Sequence, residues 1–271
     1  MLAAMRFLPA VAAWGLTFAP ALAAAPAWQA GLTPFNSPAH PRLAPCALEY
    51  RASWKGLLDA GKIRIEFGNP ANAKGGSFVA TSHGESTGPA SALFDFKSWY
   101  WSEMESGSLR PKIFHSVEDL EKRRVTYHLD YSPKGVDWSR NTRIFATGFQ
   151  YDTKGAFAFT PVHDLFSSML FVRGRKLDNG DTVSFVIQPG DDPYLVNAHV
   201  DNREAHDGRS SIRLTVKMLK IDTTSLALLP YKKLKEATLW LSDDADRIPL
   251  EIRAGVFIGD VRVTLAGQAK Y

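Results

Sequence analysis

Three stretches near the C-terminus alternate apolar and polar residues with a period of two, and this alternation narrows the architecture further than any other feature of the chain. Residues 236–242 set Ala237, Leu239 and Leu241 against Thr238 and Trp240. Residues 247–256 set Ile248, Leu250, Ile252 and Ala254 against Pro249, Glu251 and Arg253. Residues 260–266 set Val261, Val263 and Leu265 against Asp260, Arg262 and Thr264. Successive strand side chains point to opposite faces, so this spacing gives one dry and one wet face, the pattern of antiparallel pairing.

The same rhythm runs back through the chain. Residues 49–56 and 62–68 read as a hairpin turning at Asp59-Ala60-Gly61, with Ile63, Ile65 and Phe67 inward. Residues 77–83, 99–105, 112–117, 123–131 and 136–143 are the next strands, with Gly135 marking the turn before the last. Asn179-Gly180 and Asp207-Gly208 are hairpin signals, the second joining residues 194–203 to 211–221. Helical spacing occurs twice. Residues 89–96 start with Pro89 and place Leu93 and Phe96 on one side. Residues 163–173 repeat Leu165, Met169 and Val172, with Asp164 placed to stabilise the first turn.

The missing strand–helix alternation excludes a parallel doubly wound sheet. A single sheet of about eleven to thirteen strands, wet on one side, must curl to shield its dry face. The expected fold is therefore all-β: a highly curved antiparallel sheet forming an open or partly closed barrel, with one or two short helices. A two-sheet sandwich is the alternative.

The N-terminus carries the pattern of an export signal. Arg6 precedes an apolar run over residues 7–18, and Ala19-Pro20-Ala21-Leu22-Ala23 offers small residues for cleavage near Ala23 or Ala25. The expected division is a signal peptide over residues 1–25, a Pro-rich flexible leader over 26–46, and a single antiparallel β domain over 47–271. No later segment has eighteen uninterrupted apolar residues. The processed chain is thus expected in the periplasm or secreted, and not integral to the membrane. The single cysteine, Cys46, excludes an internal disulfide and reads as a buried or inert thiol. The formal charge is only +4, and the basic runs at 122–124, 173–176 and 232–235 are short and lie beside turns. Nucleic-acid binding is not expected.

With these residues laid out, the chain resembles a bacterial exported family, domain of unknown function 3108, from about Leu48 to Leu265. The opening Leu48-Glu49-Tyr50, Trp54-Lys55-Gly56 and Ala60-Gly61-Lys62 are similar to it, as are Leu109-Arg110-Pro111, Lys122-Arg123-Arg124 and the helix over 164–173. So is the closing run Leu239-Trp240-Leu241-Ser242-Asp243-Asp244, Arg247-Ile248-Pro249-Leu250, Gly259 and Val261. The resemblance implies an envelope protein of β architecture and supplies no catalytic residues.

Four groups of residues carry candidate chemistry. Gly84-Glu85-Ser86-Thr87-Gly88 matches the nucleophile-elbow pattern, which would make Ser86 a hydrolase nucleophile. That elbow belongs to parallel α/β sheets, so a Gly/Ser turn is the plainer reading. Asp243, Asp244 and Asp246 bunch three carboxylates suited to a hard cation, although Asp is also a natural turn former. His199, Asp201, His206 and Asp207 form a His/Asp cluster without a third convincing ligand. Trp99, Tyr100, Trp101, Trp138 and Trp240 are candidate ligand-binding aromatics: off the core face they would stack on sugars or grip acyl chains, and otherwise they pack under loops.

The expectation is a non-enzymatic envelope protein whose curved sheet holds a lipid-like, amphipathic envelope component, with no cofactor. Analogy with lipoprotein carriers built on half-barrels contributes to that reading. The rivals are a serine hydrolase using Ser86 and a glycan-binding or structural assembly module.

Overall fold

The computed structural model describes residues 25–35, 45–72, 75–88, 91, 95–231, 234–256 and 259–271. The expected signal peptide lies outside them except for Ala25, and so does most of the helix expected over 89–96.

Among the described residues, fifteen strands form one sheet. The first eight are β1 (Cys46–Trp54), β2 (Leu58–Phe67), β3 (Ser77–Ser86), β4 (Phe96–Glu105), β5 (Pro111–Leu120), β6 (Arg123–Ser132), β7 (Gly135–Ile144) and β8 (Gln150–Phe157). Each pairs antiparallel with the next. The helix α1 (Leu165–Arg173) follows. The second half comprises β9 (Thr182–Ile187), β10 (Tyr194–His206), β11 (Arg209–Ile221), β12 (Leu228–Pro230), β13 (Leu234–Ser242), β14 (Pro249–Val256) and β15 (Gly259–Lys270). The last strand returns to pair with the first, Cys46 opposite Lys270 and Trp54 opposite Val261, which sews the two halves into one surface.

That surface is an open, highly curved antiparallel sheet, ending at β8 on one side and β9 on the other. Its dry face carries two buried clusters. Leu48 and Tyr50, Phe67, Ala80, Met104, Phe114, Leu129, Val136 and Phe157 contribute one buried cluster from β1 through β8. Val183, Phe185, Val196, Ala198, Ile212, Leu214 and Leu241 contribute a second from the other half. Helix α1 lies between them, giving Phe166 and Leu170 to the first cluster and Phe171 and Val172 to the second. A helix buried on nearly every side needs apolar residues all round, which Leu-Phe-Ser-Ser-Met-Leu-Phe-Val supplies.

The curl brings distant segments together. The Tyr131 hydroxyl on β6 donates to the Gln188 carbonyl in the β9–β10 connection at 2.6 Å. Arg140 on β7 pairs with Asp191 of the same connection. Replacing Tyr131 with Phe removes a bond to a carbonyl that has no solvent to replace it, and is expected to cost about 1–2 kcal/mol in urea unfolding. An unchanged unfolding midpoint would show that this bond does not help hold the curl.

Three local expectations need correction. The β1–β2 hairpin turns at Lys55 and Gly56, both with positive φ (52° and 71°), rather than at Asp59-Ala60-Gly61, which lie within β2. Asn179-Gly180 is a turn leading from α1 into β9, with the Gly180 amide bonded to the Val200 carbonyl, and joins no strand pair. The described part of the Pro-rich segment is docked and not free. Trp28 donates to the Leu226 carbonyl (2.9 Å), the Thr33 amide bonds the edge strand at Ser184 (2.8 Å), and Phe35 stacks on His163. These bonds cover part of the β9 edge, a standard device for blunting an exposed strand.

Candidate functional site

The two core clusters part along one side of α1 and leave a cavity of about 440 Å³. Leu165, Ser168, Met169, Val172 and Arg173 form its helical wall. Tyr50, Ile63, Ile65 and Val263 close it from β1, β2 and β15, and Phe185, Ile187, Val196, Ala198, Val216 and Met218 from β9, β10 and β11. Leu239, Leu241 and Ile252 complete the floor. Thus the Leu165, Met169 and Val172 repeat that identified the helix forms the face it turns toward the cavity. The alternating residues of the C-terminal strands supply the opposite wall.

The few polar side chains on this wall are largely occupied, the Glu251 carboxylate by His206 and Arg253. The Tyr50 hydroxyl donates to the Pro249 carbonyl at 3.0 Å, and burial holds its pKa well above the ordinary tyrosine value. Ser168 Oγ returns to the Leu165 carbonyl within its own helix at 2.8 Å. Apolar walls with a few fixed polar groups are what small-molecule sites present.

None of the five aromatics expected to bind ligand lines this cavity. Trp99 is on the outer face of β4, 41% exposed and stacked on His83 at 5.2 Å. Trp101 is half-buried on the same face, opposite Thr81 and His115. Tyr100 points inward, packs on Phe114 and donates to Glu118 at 2.9 Å. Trp138 lies flat across β8, where a Cβ on Gly155 would stand 2.6 Å from the indole, so only glycine fits beneath it. Trp240 does project from the face opposite Leu239 and Leu241, yet it is buried. Its ring stacks on His206 at 4.3 Å, its Nε1 donates to Glu204 at 2.7 Å, and the Arg253 guanidinium sits 4.8 Å from the ring centroid. Tyr100 and Trp240 are thus packed, whereas Trp99 stays exposed on the outer face.

The other candidates also have structural partners. Ser86 is the last residue of β3. Its Oγ accepts from the Phe96 amide at 3.0 Å and donates to the Phe96 carbonyl at 3.4 Å, extending the β3–β4 pairing past its last rung. The three carboxylates of the β13–β14 turn diverge. Asp243 pairs with Arg203 (3.2 Å), Asp246 with Lys270 (3.0 Å), and Asp244 accepts from Ser242 Oγ and the amides of Asp246 and Arg247 to close the turn. His199 bonds Thr182, while Asp201 accepts from Thr215. His206 turns instead to Glu251, 3.1 Å away. Among the described residues, His206, Asp207 and Glu251 are a group whose ligand atoms lie within 4.8 Å of one another. Glu251 is already held there by the Arg253 guanidinium and by a hydrogen bond with the His206 ring, in a polar cluster beneath Trp240.

Sequence reasoning missed Arg173 as a site residue. It closes α1, is 5% exposed, and is the one cationic side chain on the cavity wall among the described residues. Its signal in the sequence was the arginine at the end of an otherwise apolar helix, a position that also complements the helix dipole.

Among the described residues no helix is long and apolar enough to cross a membrane. No curated protein matches the sequence. The chain is similar in fold to a β-barrel-like protein of domain of unknown function DUF1849 from Brucella abortus, with a TM-score of 0.51 at 12% identity over 85% of this chain and 99% of that one. It also aligns with the Mycobacterium tuberculosis lipoprotein LppX, with a TM-score of 0.26 at 13% identity over 83% of this chain and 85% of the other. The opening and closing motifs meet around the β1–β15 seam and, Leu48 apart, fall inside residues 49–266, which match the family described as protein of unknown function, DUF3108, and the chain belongs to that family.

Proposed function

We propose that this protein is an exported, non-enzymatic component of the bacterial envelope that holds the hydrocarbon part of an amphipathic ligand between α1 and its curled sheet. The observation that carries this reading is the apolar cavity. At about 440 Å³ it falls in the range of small-molecule sites, roughly 300–1,000 Å³, and aliphatic side chains from seven strands and the helix converge on it. Such a surface gains from hydrocarbon and has little to offer a polar substrate. The basic, apolar, then small-residue pattern of the N-terminus supports export to the periplasm.

The test is native mass spectrometry of the protein isolated from its own envelope, beside an Ala198→Trp variant. Ala198 is buried on the cavity wall, so the larger ring fills the space a ligand would take. A co-purifying amphiphile in wild type that is lost in the folded variant supports the reading. An empty protein that also fails to take up an apolar fluorophore defeats it.

A further inference from the structure

We propose that the cavity selects an amphiphile with an anionic head, a carboxylate or a phosphate, and that Arg173 receives that head. This deepens the carrier reading above and rests on it.

The guanidinium of Arg173 is buried, and its bonds leave its charge without a direct anionic partner. Nε and Nη2 both donate to one neutral acceptor, the Asp246 backbone carbonyl, at 3.3 and 2.9 Å. Nη1 is buried and has no hydrogen-bond partner. The carboxylates nearest in sequence to that carbonyl are engaged elsewhere: Asp244 with Ser242 and two turn amides, Asp246 with Lys270. Two further groups stand close enough to feel the charge. The Cys46 thiol is kept protonated by burial, and the neutral Tyr50 hydroxyl donates its hydrogen bond to the Pro249 carbonyl. The Phe67 ring, 5.5 Å from the guanidinium carbon, offers it only a π face.

Burying a cation on neutral partners is costly unless something anionic comes to it. A planar guanidinium suits carboxylate and phosphate oxygens, and charge-assisted bonds of this kind are the strong ones. The position is also suitable. Arg173 is tied to the β13–β14 turn, whereas Val216, opposite Ala237, and Met218 line the cavity further along β11. Glu251 also lines the cavity, but its carboxylate is engaged by His206 and Arg253, so the Arg173 guanidinium is the charge left unmatched beside the hydrocarbon wall, the complement of an anionic amphiphile.

The experiment compares hexadecanoate, hexadecyl phosphate and hexadecanol, which share one chain and differ in the head, as competitors of an apolar fluorophore on wild type and Arg173→Gln. Gln retains a donor for the Asp246 carbonyl. Wild type is expected to bind at least one anionic probe on the order of tenfold tighter than the alcohol, and the better of the two anions identifies the head. In Arg173→Gln that preference should fall to within about threefold while hexadecanol binding persists. If wild type binds all three probes equally, the anionic head is overturned and the carrier reading survives. If the preference persists in Arg173→Gln, head recognition belongs to another residue. If none of the three binds, the carrier reading itself fails. Should the variant not fold, the wild-type comparison alone still decides for or against an anionic head.

Discussion

Replacing Asp164 with Ala is expected to destabilise the protein by about 2–4 kcal/mol, the largest loss foreseen for any single polar side chain here. Asp164 is fully buried and N-caps α1. One carboxylate oxygen accepts from the Ser167 amide at 2.6 Å, and Ser167 Oγ accepts in return from the Asp164 amide at 2.9 Å, a reciprocal capping box. The other carboxylate oxygen accepts from the Ser102 hydroxyl on β4, itself without solvent exposure. Burial pushes the Asp164 pKa up, and the Ser102 and Ser167 bonds hold it partly down. The truncation therefore removes a cap, worth roughly 0.5–2 kcal/mol, and strands a buried hydroxyl at a further 1–3 kcal/mol. Urea unfolding checks it. Asp164→Asn keeps an N-cap acceptor and should lose clearly less, and Ser102→Ala added to Asp164→Ala should recover part of the deficit, because no orphaned donor remains. Equal losses in all three variants would mean that the cap and the Ser102 bond do not account for the effect.

Asp164 was legible from the sequence because its role is local: an acid one residue before a run with helical spacing. The C-terminal strands and the Asp207-Gly208 hairpin were legible for the same reason, since alternation and a turn with φ of 48° and 75° are written in adjacent residues. Strand β8 was not. Of its eight residues only Phe157 is buried, so this edge strand carries almost no period-two signal to read. Trp240 misled for a different reason. Alternation correctly placed it on the outer face, but the side chains that cover it, His206 and Arg253, arrive from β10 and β14. The cavity was legible as a tendency and not as a list of residues. Leu165, Met169, Val172, Ile252 and Val263 could be assigned to dry faces, but which dry residues pack and which line a void depends on how far the sheet curls. Curvature is set by pairings across the whole chain, the β1–β15 seam above all. Arg173 escaped notice on the same ground, because its unpaired charge exists only once the β13–β14 turn has folded over the end of the helix.

Lowering the pH should weaken the protein through one buried histidine, and His163→Phe should remove that weakness. His163 is 2% exposed, its Nδ1 has no partner, and its ring is enclosed by Phe35, Phe171 and Phe185 at centroid distances of 4.6, 4.4 and 5.6 Å. Burial, assisted by the positive charges of Arg175 and Arg110, pushes its pKa down to about 3. In the unfolded chain the same imidazole takes a proton near pH 6.5. Between those two values the unfolded state binds more protons, so stability is complete above about pH 6.5 and declines as pH falls toward 3. At pH 5 the loss attributable to His163 is about 2 kcal/mol relative to neutral pH, since each unit is worth 1.36 kcal/mol. Phenylalanine fits among three aromatic rings and carries no proton, so other titrating groups cancel when the two proteins are compared. The wild-type stability relative to His163→Phe should drop by roughly that amount between pH 7.5 and pH 5 in paired denaturant titrations. A difference that does not change with pH would mean the imidazole is protonated in its cage, or never loses its solvent. Phe35 connects this expectation to the docked N-terminal segment. Replacing it with Ala opens one side of the cage to water, should raise the pKa of His163, and so should flatten the acid dependence even though it also removes packing.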